Sequence, residues 1–414
     1  MNSLKHTDVV VLGGGPAGIA AAVAAAREGM EVTLIERNAF LGGKATAAEV
    51  GTVCGLYKFS KAESSEYIVK GFAQQFAEQL RTSSETSPLH NHVGLHYLPY
   101  NIKAFKTICS EILGQHNVEV CFNAIPYKVD MKNDLARSIY ISTGEDKLQL
   151  DFTAMIDCSG ESIISQLTGS PVIKSESYQA AAQLFTLKNV EEDSESRLGM
   201  ILIKELSSAI KRKELDDYFD RVYVVQGSLI DNRVNLKLGL PLPVTHTHEN
   251  IESLKKLGRA FALELTEFLV QHVPAFKHAE IEHIAPEVGI RVGLRTTGRY
   301  ILTEQDVLNC RKFDDAIANA SWPIEEWEQN KRVKMQYFNY DDFYQIPAAC
   351  LQSASIKNLF IAGRNISATN GAIASARVMG ICLQTGYAAG RLAAAHVQGI
   401  PEQETIRNIQ HAQL

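Results

Sequence analysis

The chain has 414 residues, of which 45% are hydrophobic and 21% are charged, and its formal net charge is −6. These values are ordinary for a soluble globular enzyme of two or three domains. No basic stretch stands out, so the composition argues against a nucleic-acid-binding protein.

The first predicted elements form a βαβ unit of about 30 residues, which is the usual size of that motif. A β-branched run predicts a buried strand over residues 9–12, an alanine-rich run predicts a helix over 16–28, and a second strand follows over 32–35. Residues 8–26 are apolar enough for a signal peptide or a membrane span. Gly13-Gly14-Gly15-Pro16 would interrupt such a span, so we predict a buried strand, a turn and a helix, with no membrane segment.

The middle of the chain is less regular. Its periodicity predicts helices over 66–81 and 102–113, strands over 118–122 and 136–142, and a short buried strand over 154–156. From about residue 166 the composition changes. Charged helices over 191–219, strands over 222–226 and 234–238, and a long amphipathic helix over 249–272 predict a second domain spanning 166–344.

The C-terminal part resembles the first unit in composition, because it predicts a strand over 358–362 and a helix rich in small residues over 374–395. We therefore predict an α/β fold in which a Rossmann-like domain, a parallel sheet with helices, is assembled from residues 1–165 and 345–400. The segment 166–344 would be an inserted α+β substrate or cap domain. Residues 401–414 are predicted to form a polar, loosely held tail.

Gly13, Gly15 and Gly18 form a GxGxxG motif between the first predicted strand and its helix. The first glycine permits a tight turn, the second lets the backbone approach a pyrophosphate, and the third allows close packing of helix and strand. Pro16 and Ala17 begin a helix whose N-terminus offers N–H groups to phosphates. Glu36 ends the second strand, where an acid accepts the hydroxyls of a ribose, so the motif predicts a dinucleotide site.

Three further features favour FAD over NAD. Gly42 and Gly43 follow the acidic residue closely, Gly160 follows a third predicted strand, and Gly363 follows a fourth. Small residues at several strand ends indicate a long ligand that crosses several strands, as FAD does.

Four segments in this order resemble the FAD-dependent oxidoreductases related to the flavoprotein subunits of succinate dehydrogenase and fumarate reductase, within the glutathione-reductase-like FAD superfamily. The resemblance covers nearly the whole chain. The segments are residues 8–18 (DVVVLGGGPAG), 156–160 (IDCSG, similar to IDATG), 358–367 (NLFIAGRNIS, similar to NLLVAGRCIS) and 377–379 (RVM).

The resemblance implies roles for individual residues. Glu36 would hold the adenosine ribose, residues 42–45 would run along the pyrophosphate and flavin, and Gly363 with Arg364 would lie at the pyrophosphate and ribityl chain. A helix beginning near Ala376 would direct its N-terminus at the flavin, where a positive dipole end stabilises reduced flavin. The candidate cofactor residues are Gly13, Gly15, Pro16, Ala17, Gly18, Glu36, Arg37, Gly42, Gly43, Lys44, Ala45, Gly160, Gly363, Arg364, Arg377 and Met379.

Candidates for catalysis come from three places. Arg291, Arg295 and Arg299 recur every four residues and would grip a carboxylate if they shared a helix face, with Arg295 the first choice. However, Gly293 and Gly298 disfavour a helix, and the arginine cluster RESRRIVGEY of the relatives is shortened here. A structural salt bridge is the alternative.

His96 lies in a loop-like stretch with His90, His92 and Tyr97, and is a candidate proton donor or acceptor. Tyr344 precedes Ile346-Pro347, which is similar to a YxIP segment of the family, and it would face the flavin or simply pack. A solvated loop is the alternative for the histidines.

Other chemistry is disfavoured. The seven cysteines are scattered without a CxxC pair, which argues against disulfides, zinc and disulfide-reductase chemistry and favours a reducing compartment. No acid or cysteine completes a metal set with the histidines, so no metal is expected. Cys54 is a candidate for covalent flavin attachment or redox chemistry, with an inert buried thiol as the alternative.

The sequence as a whole predicts a cytoplasmic FAD enzyme that moves a hydride between flavin N5 and a small organic substrate. No second GxGxxG occurs between Gly160 and Tyr344, so the electron donor or acceptor stays open: oxygen, a carrier protein, a second substrate or a transiently bound nicotinamide. The alternatives are a flavin monooxygenase or halogenase, and a flavin-binding maturation partner of another protein. Gly363-Arg364 departs from the GD motif of the monooxygenases, and residues 322–327 do not match the halogenase WxWxIP pattern.

Overall fold

The structure, a computed structural model, describes residues 2–144, 146–329 and 333–414. In chain order the strands are β1 (Asn2–Leu12), β2 (Val32–Ile35), β3 (Thr52–Cys54), β4 (Leu89–His90), β5 (His96–Pro99), β6 (Glu119–Cys121), β7 (Ile125–Lys132), β8 (Leu135–Thr143), β9 (Asp146–Asp157), β10 (Val172–Ile173), β11 (Ala182–Lys188), β12 (Val222–Val224), β13 (Val234–Gly239), β14 (Glu280–Ile284), β15 (Arg295–Thr296), β16 (Ala316–Ala320), β17 (Ile324–Glu326), β18 (Lys334–Gln336), β19 (Tyr344–Pro347) and β20 (Leu359–Ile361). The helices are α1 (Pro16–Arg27), α2 (Lys44–Ala47), α3 (Gly71–Ser83), α4 (Ile102–Gln115), α5 (Ile163–Thr168), α6 (Glu195–Arg212), α7 (His248–His272), α8 (Glu304–Leu308), α9 (Asn370–Ala376), α10 (Met379–Gln398) and α11 (Glu402–Gln413).

The first sheet has the strand order β6-β2-β1-β9-β8-β7, and β20 also pairs with β9. Strands β6, β2, β1, β9 and β20 run parallel, whereas β7 and β8 form an antiparallel extension along the first half of β9. Leu12 pairs with Ile35 and Asp157, and Ile361 also pairs with Asp157. The carboxyl ends of four parallel strands are therefore level with one another, which is where ligands bind in open α/β sheets.

Small residues bring α1 and α10 together on one face of this sheet. A side chain at Gly386 would overlap the carbonyl oxygen of Ala17, and one at Gly390 would overlap that of Ala21. Alanine covers most of the rest of α1, where residues 17–25 are all buried. The two helices from opposite ends of the chain thus pack at backbone distance, and this contact joins the two halves of the predicted nucleotide domain.

The second sheet is antiparallel, with the order β12-β13-β11-β14, and α6 and α7 pack against it. Buried side chains between Ala181 and Ile290 form its own core. The predicted second domain extends to residue 344, but buried side chains from Val292 to Tyr344 pack in the first core with α1 and α10. Among the described residues, the second core therefore ends at Ile290, and the buried side chains from Val292 to Tyr344 belong to the first core.

Other elements also differ from the predictions. The helix predicted over 66–81 begins at Gly71, the short strand predicted over 154–156 is the end of the twelve-residue β9, and the helix predicted over 374–395 is broken into α9 and α10. The predicted loose tail is the helix α11, which buries Ile406 and Ile409. None of the helices in the described ranges has the length and apolar character that a membrane span requires.

Candidate functional site

The loop between β1 and α1 is built on glycines that neighbouring backbone requires. Gly13 has φ +99°, donates its amide to the Ile35 carbonyl (2.8 Å), and an added Cβ would lie 2.7 Å from the Cys158 carbonyl oxygen. A Cβ on Gly18 would overlap the carbonyl oxygen of Gly13. At Gly15, by contrast, only the Gly43 Cα lies within 4 Å of an added Cβ. The first and third glycines are therefore required by the fold, whereas the second leaves open space.

The N-terminus of α1 starts at Pro16, directly after these glycines, and no side chain caps it. The first N–H groups of a helix have no partner within the helix, and they carry the positive end of its dipole. An uncapped end beside open space fits the phosphates of a dinucleotide.

Glu36 follows β2 and is 4% exposed. Its carboxylate accepts hydrogen bonds from the amides of Gly14 (2.7 Å) and Asn38 (2.8 Å). Burial raises its pKa above the ordinary value, and the two amides offset this only in part. Because a carboxylate accepts about four hydrogen bonds, Glu36 keeps capacity for ribose hydroxyls.

The segment 42–45 lies against the first glycine loop. Gly42 and Gly43 have φ values of +104° and +54°, and the Gly42 amide donates to the Gly14 carbonyl (2.8 Å). Lys44 pairs with Glu287 (2.6 Å) and also donates to the Val288 carbonyl (3.0 Å). The second glycine pair thus packs against the dinucleotide loop. Two adjacent loops of this kind are able to contact the same ligand.

Lys44, Arg37 and Glu287 form a charged group beside this loop. Arg37 donates to the same Glu287 oxygen (2.9 Å). Burial lowers the pKa of Lys44 to about 8, although Glu287 opposes the change. Burial alone would raise the pKa of Glu287, but Lys44 and Arg37 bring it to about 2. The loop therefore carries two cations for one carboxylate, which suits a pyrophosphate.

Asp157, the last residue of β9, ties the third and fourth strand ends together. It is fully buried, and its carboxylate accepts from the amides of Ser159 (3.0 Å) and Ile164 (3.0 Å) and from the Asn365 side chain (2.6 Å). Asn365 also donates to the Asp157 carbonyl (3.0 Å). One carboxylate thereby sets the positions of the turns that follow β9 and β20.

An Asp157→Asn variant is expected to lose about 2 kcal/mol of unfolding free energy. The asparagine amide would place a donor opposite the Ile164 or Asn365 donor, and an unsatisfied buried group costs about 1–3 kcal/mol. Urea unfolding of the apoprotein measures this loss. Asp146→Asn, an exposed position on the same strand, is the matched control. Equal stability of the two variants would contradict the anchoring role.

Gly160 and Gly363 follow the strand ends that Asp157 connects. A side chain at Gly160 would overlap the guanidinium of Arg364, which donates to the Ile290 carbonyl (2.7 Å). Gly363 has φ +69°, and an added Cβ would lie 2.9 Å from that of Ala17. Both glycines and Arg364 therefore lie at the same edge of the sheet as the α1 N-terminus.

The break between α9 and α10 sets where α10 begins. Helix α10 starts at Met379, later than the predicted start near Ala376, and no side chain caps it. Gly380 is pressed against the chain after β3, since a Cβ there would lie 2.5 Å from the Gly55 carbonyl oxygen. A second uncapped helix N-terminus is thus placed next to Cys54 and Gly55.

The predicted catalytic residues are separate in the structure. His96, predicted in a loop, is buried in β5 with its ring nitrogens 2.8 Å from the Ser65 hydroxyl and 3.1 Å from the Ser60 carbonyl. Tyr344 is fully buried and 2.7 Å from the Ser375 hydroxyl, and burial raises its pKa. Both side chains have structural partners, and the contacts of the described residues join no two of His96, Tyr344 and Arg295.

Arg295 is fully buried in β15 and donates to the Ser175 hydroxyl (3.1 Å) and the Gly293 carbonyl (3.3 Å). Its Nε and Nη2 atoms have no hydrogen-bond partner among the described residues. The predicted helix face of three arginines does not form, because Arg299 pairs with Glu402 at the surface and Arg291 lies on Trp327. Of the three predicted arginines, Arg295 is the one whose buried donors lack partners among the described residues.

One pair escaped the sequence-based predictions. The Nδ1 atom of His246 lies 2.8 Å from Glu161, the ring packs edge-to-face on Tyr178 (4.2 Å), and the Nε2 atom is buried without a partner among the described residues. His246 has φ +60°, which strains a residue other than glycine. Burial alone would raise the pKa of Glu161, but the His246 hydrogen bond and the charge of Arg364 bring it below the ordinary value. Only the fold brings residues 161 and 246 together, so no local sequence signal marks them.

The cysteines and acidic residues give no second site. All seven cysteines are free, and burial raises the pKa of Cys54 to about 12, so its thiol stays protonated. In the part of the chain that the structure describes, no group of three or more His, Cys, Asp or Glu side chains is placed to hold a metal ion.

The residues fit FAD on two observations. The open space at Gly15 lies between an uncapped helix and a cationic loop, and the buried Nε2 atom of His246 lacks a partner among the described residues. Unpartnered buried donors are rare in native proteins, and a bound polar ligand satisfies them.

Comparisons with known proteins agree with this geometry. The model of the family described as FAD dependent oxidoreductase matches residues 8–414. The mitochondrial dihydrolipoyl dehydrogenase of Dictyostelium discoideum is 32% identical over 190 residues, which cover 42% of this chain and 36% of that protein. The match therefore spans little more than a third of the curated relative.

Two solved structures share the fold over 98% of this chain. One is the anhydrotetracycline hydroxylase OxyS from Streptomyces rimosus, at 10% identity and a TM-score of 0.51, and the other is BexE, at 13% identity and a TM-score of 0.50. In both cases 65% of the solved chain is covered. Identity this low shows the fold alone, whereas the family model covers nearly the whole chain. The chain therefore belongs to the FAD dependent oxidoreductase family and takes FAD as its cofactor.

Proposed function

We propose that the protein transfers a hydride between flavin N5 and a small organic substrate held between the first sheet and the second sheet. The observation that carries the proposal is that four strand ends and the uncapped start of α1 lie at one edge of the parallel sheet, with the uncapped start of α10 beyond them against Gly55. When bound, FAD supplies the two-electron chemistry, and the protein supplies binding, orientation and electrostatics.

The proposed cofactor contacts follow the edge of the sheet. Glu36 accepts hydrogen bonds from the adenosine ribose hydroxyls. The amides of Gly15, Ala17 and Gly18 donate hydrogen bonds to the pyrophosphate. The other glycines let the backbone come close, and the positive side chains balance the phosphate charge. These further residues are Gly13, Pro16, Arg37, Gly42, Gly43, Lys44, Ala45, Gly160, Gly363 and Arg364.

The flavin end is proposed to lie at the start of α10. Met379 is the first residue of α10, and the free N–H groups in the first turn of this helix favour negative charge on the reduced flavin ring. Arg377 lies in the break before the helix, and Arg295 offers two unused donors from the substrate side. In this proposal Arg295 contacts substrate, whereas Tyr344 and His96 keep packing roles.

The proposed partners are a small-molecule substrate and a separate electron donor or acceptor. The four sequence motifs also support a closer relationship with the flavoprotein subunits of succinate dehydrogenase and fumarate reductase, which we propose on those motifs alone. The fold shared with OxyS and BexE carries no reaction to this chain.

Reconstitution with FAD tests the proposal. We expect the purified protein to carry, or to take up, one FAD with the visible absorbance of oxidised flavin, and acid precipitation to release it to the supernatant. Colour in the pellet would instead indicate a covalent link and would make Cys54 the first residue to test as its attachment point. A colourless protein that takes up no FAD would contradict the proposed site.

Anaerobic substrate screening separates hydride transfer from oxygen chemistry. A substrate that bleaches the flavin without oxygen supports the proposed reaction. Bleaching that requires a separate reductant, with oxygen incorporated into the product, would contradict the proposed hydride transfer and indicate a monooxygenase reaction.

A further inference from the structure

Four charged side chains from distant parts of the chain meet where the second sheet faces the start of α10. Arg377 donates to the Glu325 carbonyl (3.2 Å) and to the Gln179 side chain (3.3 Å), and its Nη2 atom lies 3.9 Å from the Glu325 carboxylate. The Arg377 and Glu325 side chains are 11% and 19% exposed. This pair lies at the break between α9 and α10.

Trp327 connects the pair to two further cations. The Arg291 guanidinium lies 4.2 Å from the centre of one Trp327 ring, and the Lys237 ammonium lies 4.3 Å from it. The Trp327 indole donates to Glu325 (2.8 Å), as does the Trp322 indole (3.2 Å). The cation–π contacts hold both cations beside the same carboxylate.

We call this group, Lys237, Arg291 and Arg377 with Glu325, the cation cluster. It contains three positive charges and one negative charge. Burial and the neighbouring arginines, opposed by Glu325, together lower the pKa of Lys237 to about 8, and burial with Arg377 also lowers the pKa of Arg291. Two excess positive charges that are partly buried destabilise one another unless an anion joins them.

Unused donors face the same place. The Arg377 Nε atom and the Gln179 Nε2 atom are buried and have no partner among the described residues. Gln179 is 5% exposed, and its oxygen is already held by Arg377 and the Trp327 amide. Its NH₂ group is therefore fixed in direction, with hydrogens left for an acceptor.

We propose that the cation cluster binds the anionic group of an organic acid, which is the substrate of the reaction proposed above. The inference rests on that function and names its substrate class. Guanidinium groups match the geometry of a carboxylate, and two excess charges suit one or two carboxylates. Arg377 stands two residues before Met379, the first residue of α10, and contacts Glu325, so the cluster lies beside the start of α10.

The cluster is distinct from the cations proposed for the pyrophosphate. Arg37 and Lys44 pair with Glu287 beside the first glycine loop, whereas Lys237 belongs to the second sheet and Arg291 to the chain after β14. FAD and the acid are therefore expected to bind together without competing.

Tryptophan fluorescence reports this site directly. The chain has two tryptophans, Trp322 and Trp327, and both donate to Glu325. Titration of the FAD-loaded protein with malonate at constant ionic strength should give a saturable change in tryptophan emission. Malonamide, which is neutral, should give none, and inorganic phosphate should bind at least tenfold more weakly than malonate.

Variants locate the binding. Lys237→Met and Arg291→Met should each weaken malonate binding at least tenfold and leave the FAD content unchanged. Lys204→Met, on α6 with a side chain 79% exposed, is the matched control and should bind malonate as the wild type does.

The affinity for malonate should fall as pH rises from 7 to 9. The pKa of about 8 for Lys237 means that its ammonium group is charged at pH 7 and loses its proton toward pH 9, whereas the Arg291 guanidinium stays protonated. The other groups facing Lys237 and Arg291 are Glu325, Arg377, Cys54 and Tyr223. Of these, Cys54 has its pKa raised to about 12 by burial and does not titrate in this range.

Three results would overturn the inference: no saturable response in the wild type, malonate affinity in Lys237→Met and Arg291→Met equal to that of the wild type, or phosphate binding as tightly as malonate. Release of FAD by malonate would also overturn it, since the cations would then serve the cofactor. Failure of the proposed function is separate, because it appears as a protein that binds no FAD, whereas malonate binding is read from the tryptophans.

Discussion

A Gly15→Ala variant should fold as the wild type does and lose FAD. Gly15 has φ −77° at the start of α1, which alanine adopts without strain, and the nearest atom to the new methyl is the Gly43 Cα at 3.8 Å. The methyl would therefore occupy only the open space where we propose the pyrophosphate binds. We expect FAD affinity to fall at least about 100-fold, or about 3 kcal/mol.

Two other glycines make this result interpretable. In Gly18→Ala the new methyl would overlap the Gly13 carbonyl, so both stability and FAD binding should be lost. Gly199→Ala, inside α6 with no atom within 4 Å of the added methyl, should leave FAD binding unchanged and raise stability slightly, because alanine favours the helix. Thermal unfolding and FAD titration of the three apoproteins measure the difference. FAD binding by Gly15→Ala at wild-type affinity would place the pyrophosphate elsewhere.

The dinucleotide unit could be predicted because its partners lie close together in the sequence. Gly13 bonds to Ile35, and Gly18 packs on Gly13, so the contacts that need glycine occur within one βαβ unit. Glu36 follows from the same local pattern. The family match and the parallel order of β2, β1, β9 and β20 agree with the α/β, Rossmann-like prediction. The roles of individual residues toward FAD stay predictions.

Features that depend on distant packing could not be predicted. The break between α9 and α10 lies in a run of small helix-forming residues, and it is the contact of Gly380 with Gly55, about 325 positions earlier, that accompanies it. The cation cluster combines residues 237, 291, 325 and 377. The Glu161–His246 pair likewise joins two residues that lie far apart in the sequence. No periodicity or motif joins such positions before the fold does.

The helix α11 is a different case, because a local signal was present. Thr405, Ile406 and Ile409 lie on one face at helical spacing and are buried, while most of their neighbours are polar and exposed. The prediction of a loose tail followed the polar composition of residues 401–414, whereas the spacing of the two isoleucines indicates a helix with one buried face. Gln413 is then buried as a donor to the Ile317 and Gln384 carbonyls, so the end of α11 packs against β16 and α10.

A Glu325→Gln variant should lose about 3 kcal/mol of unfolding free energy at pH 7. Glu325 is the carboxylate that faces Lys237, Arg291 and Arg377, and burial alone would raise its pKa, whereas these cations bring it below the ordinary value. Glutamine keeps the size and one acceptor but leaves the cations uncompensated. Removing one partner of a buried ion pair costs about 3–5 kcal/mol, and the 19% exposure of Glu325 favours the lower figure.

The loss should shrink as pH rises. In the folded state the pKa of Lys237 is about 8, below its ordinary 10.5, so between these values the unfolded chain binds more protons than the folded one. Stability gained from this group therefore rises with pH across that window, by up to about 1.4 kcal/mol per pH unit for each proton. Without Glu325 the pKa of Lys237 in the folded state falls further. The unfolding free energy of the variant therefore begins to rise at a lower pH than that of the wild type, and the difference between them becomes smaller.

Glu326→Gln is the matched control for this prediction. Glu326 is the next residue of β17, is similarly buried at 21% exposure, and faces Lys334 at 3.6 Å instead of the cluster. Its loss of unfolding free energy should be below about 1 kcal/mol and independent of pH between 7 and 9, as for a surface ion pair. Urea unfolding of both apoproteins at several pH values measures the contrast. If the two variants lost equal stability with equal pH dependence, Glu325 would not be balancing buried cations, and the anion-binding role of the cation cluster would lose its electrostatic basis.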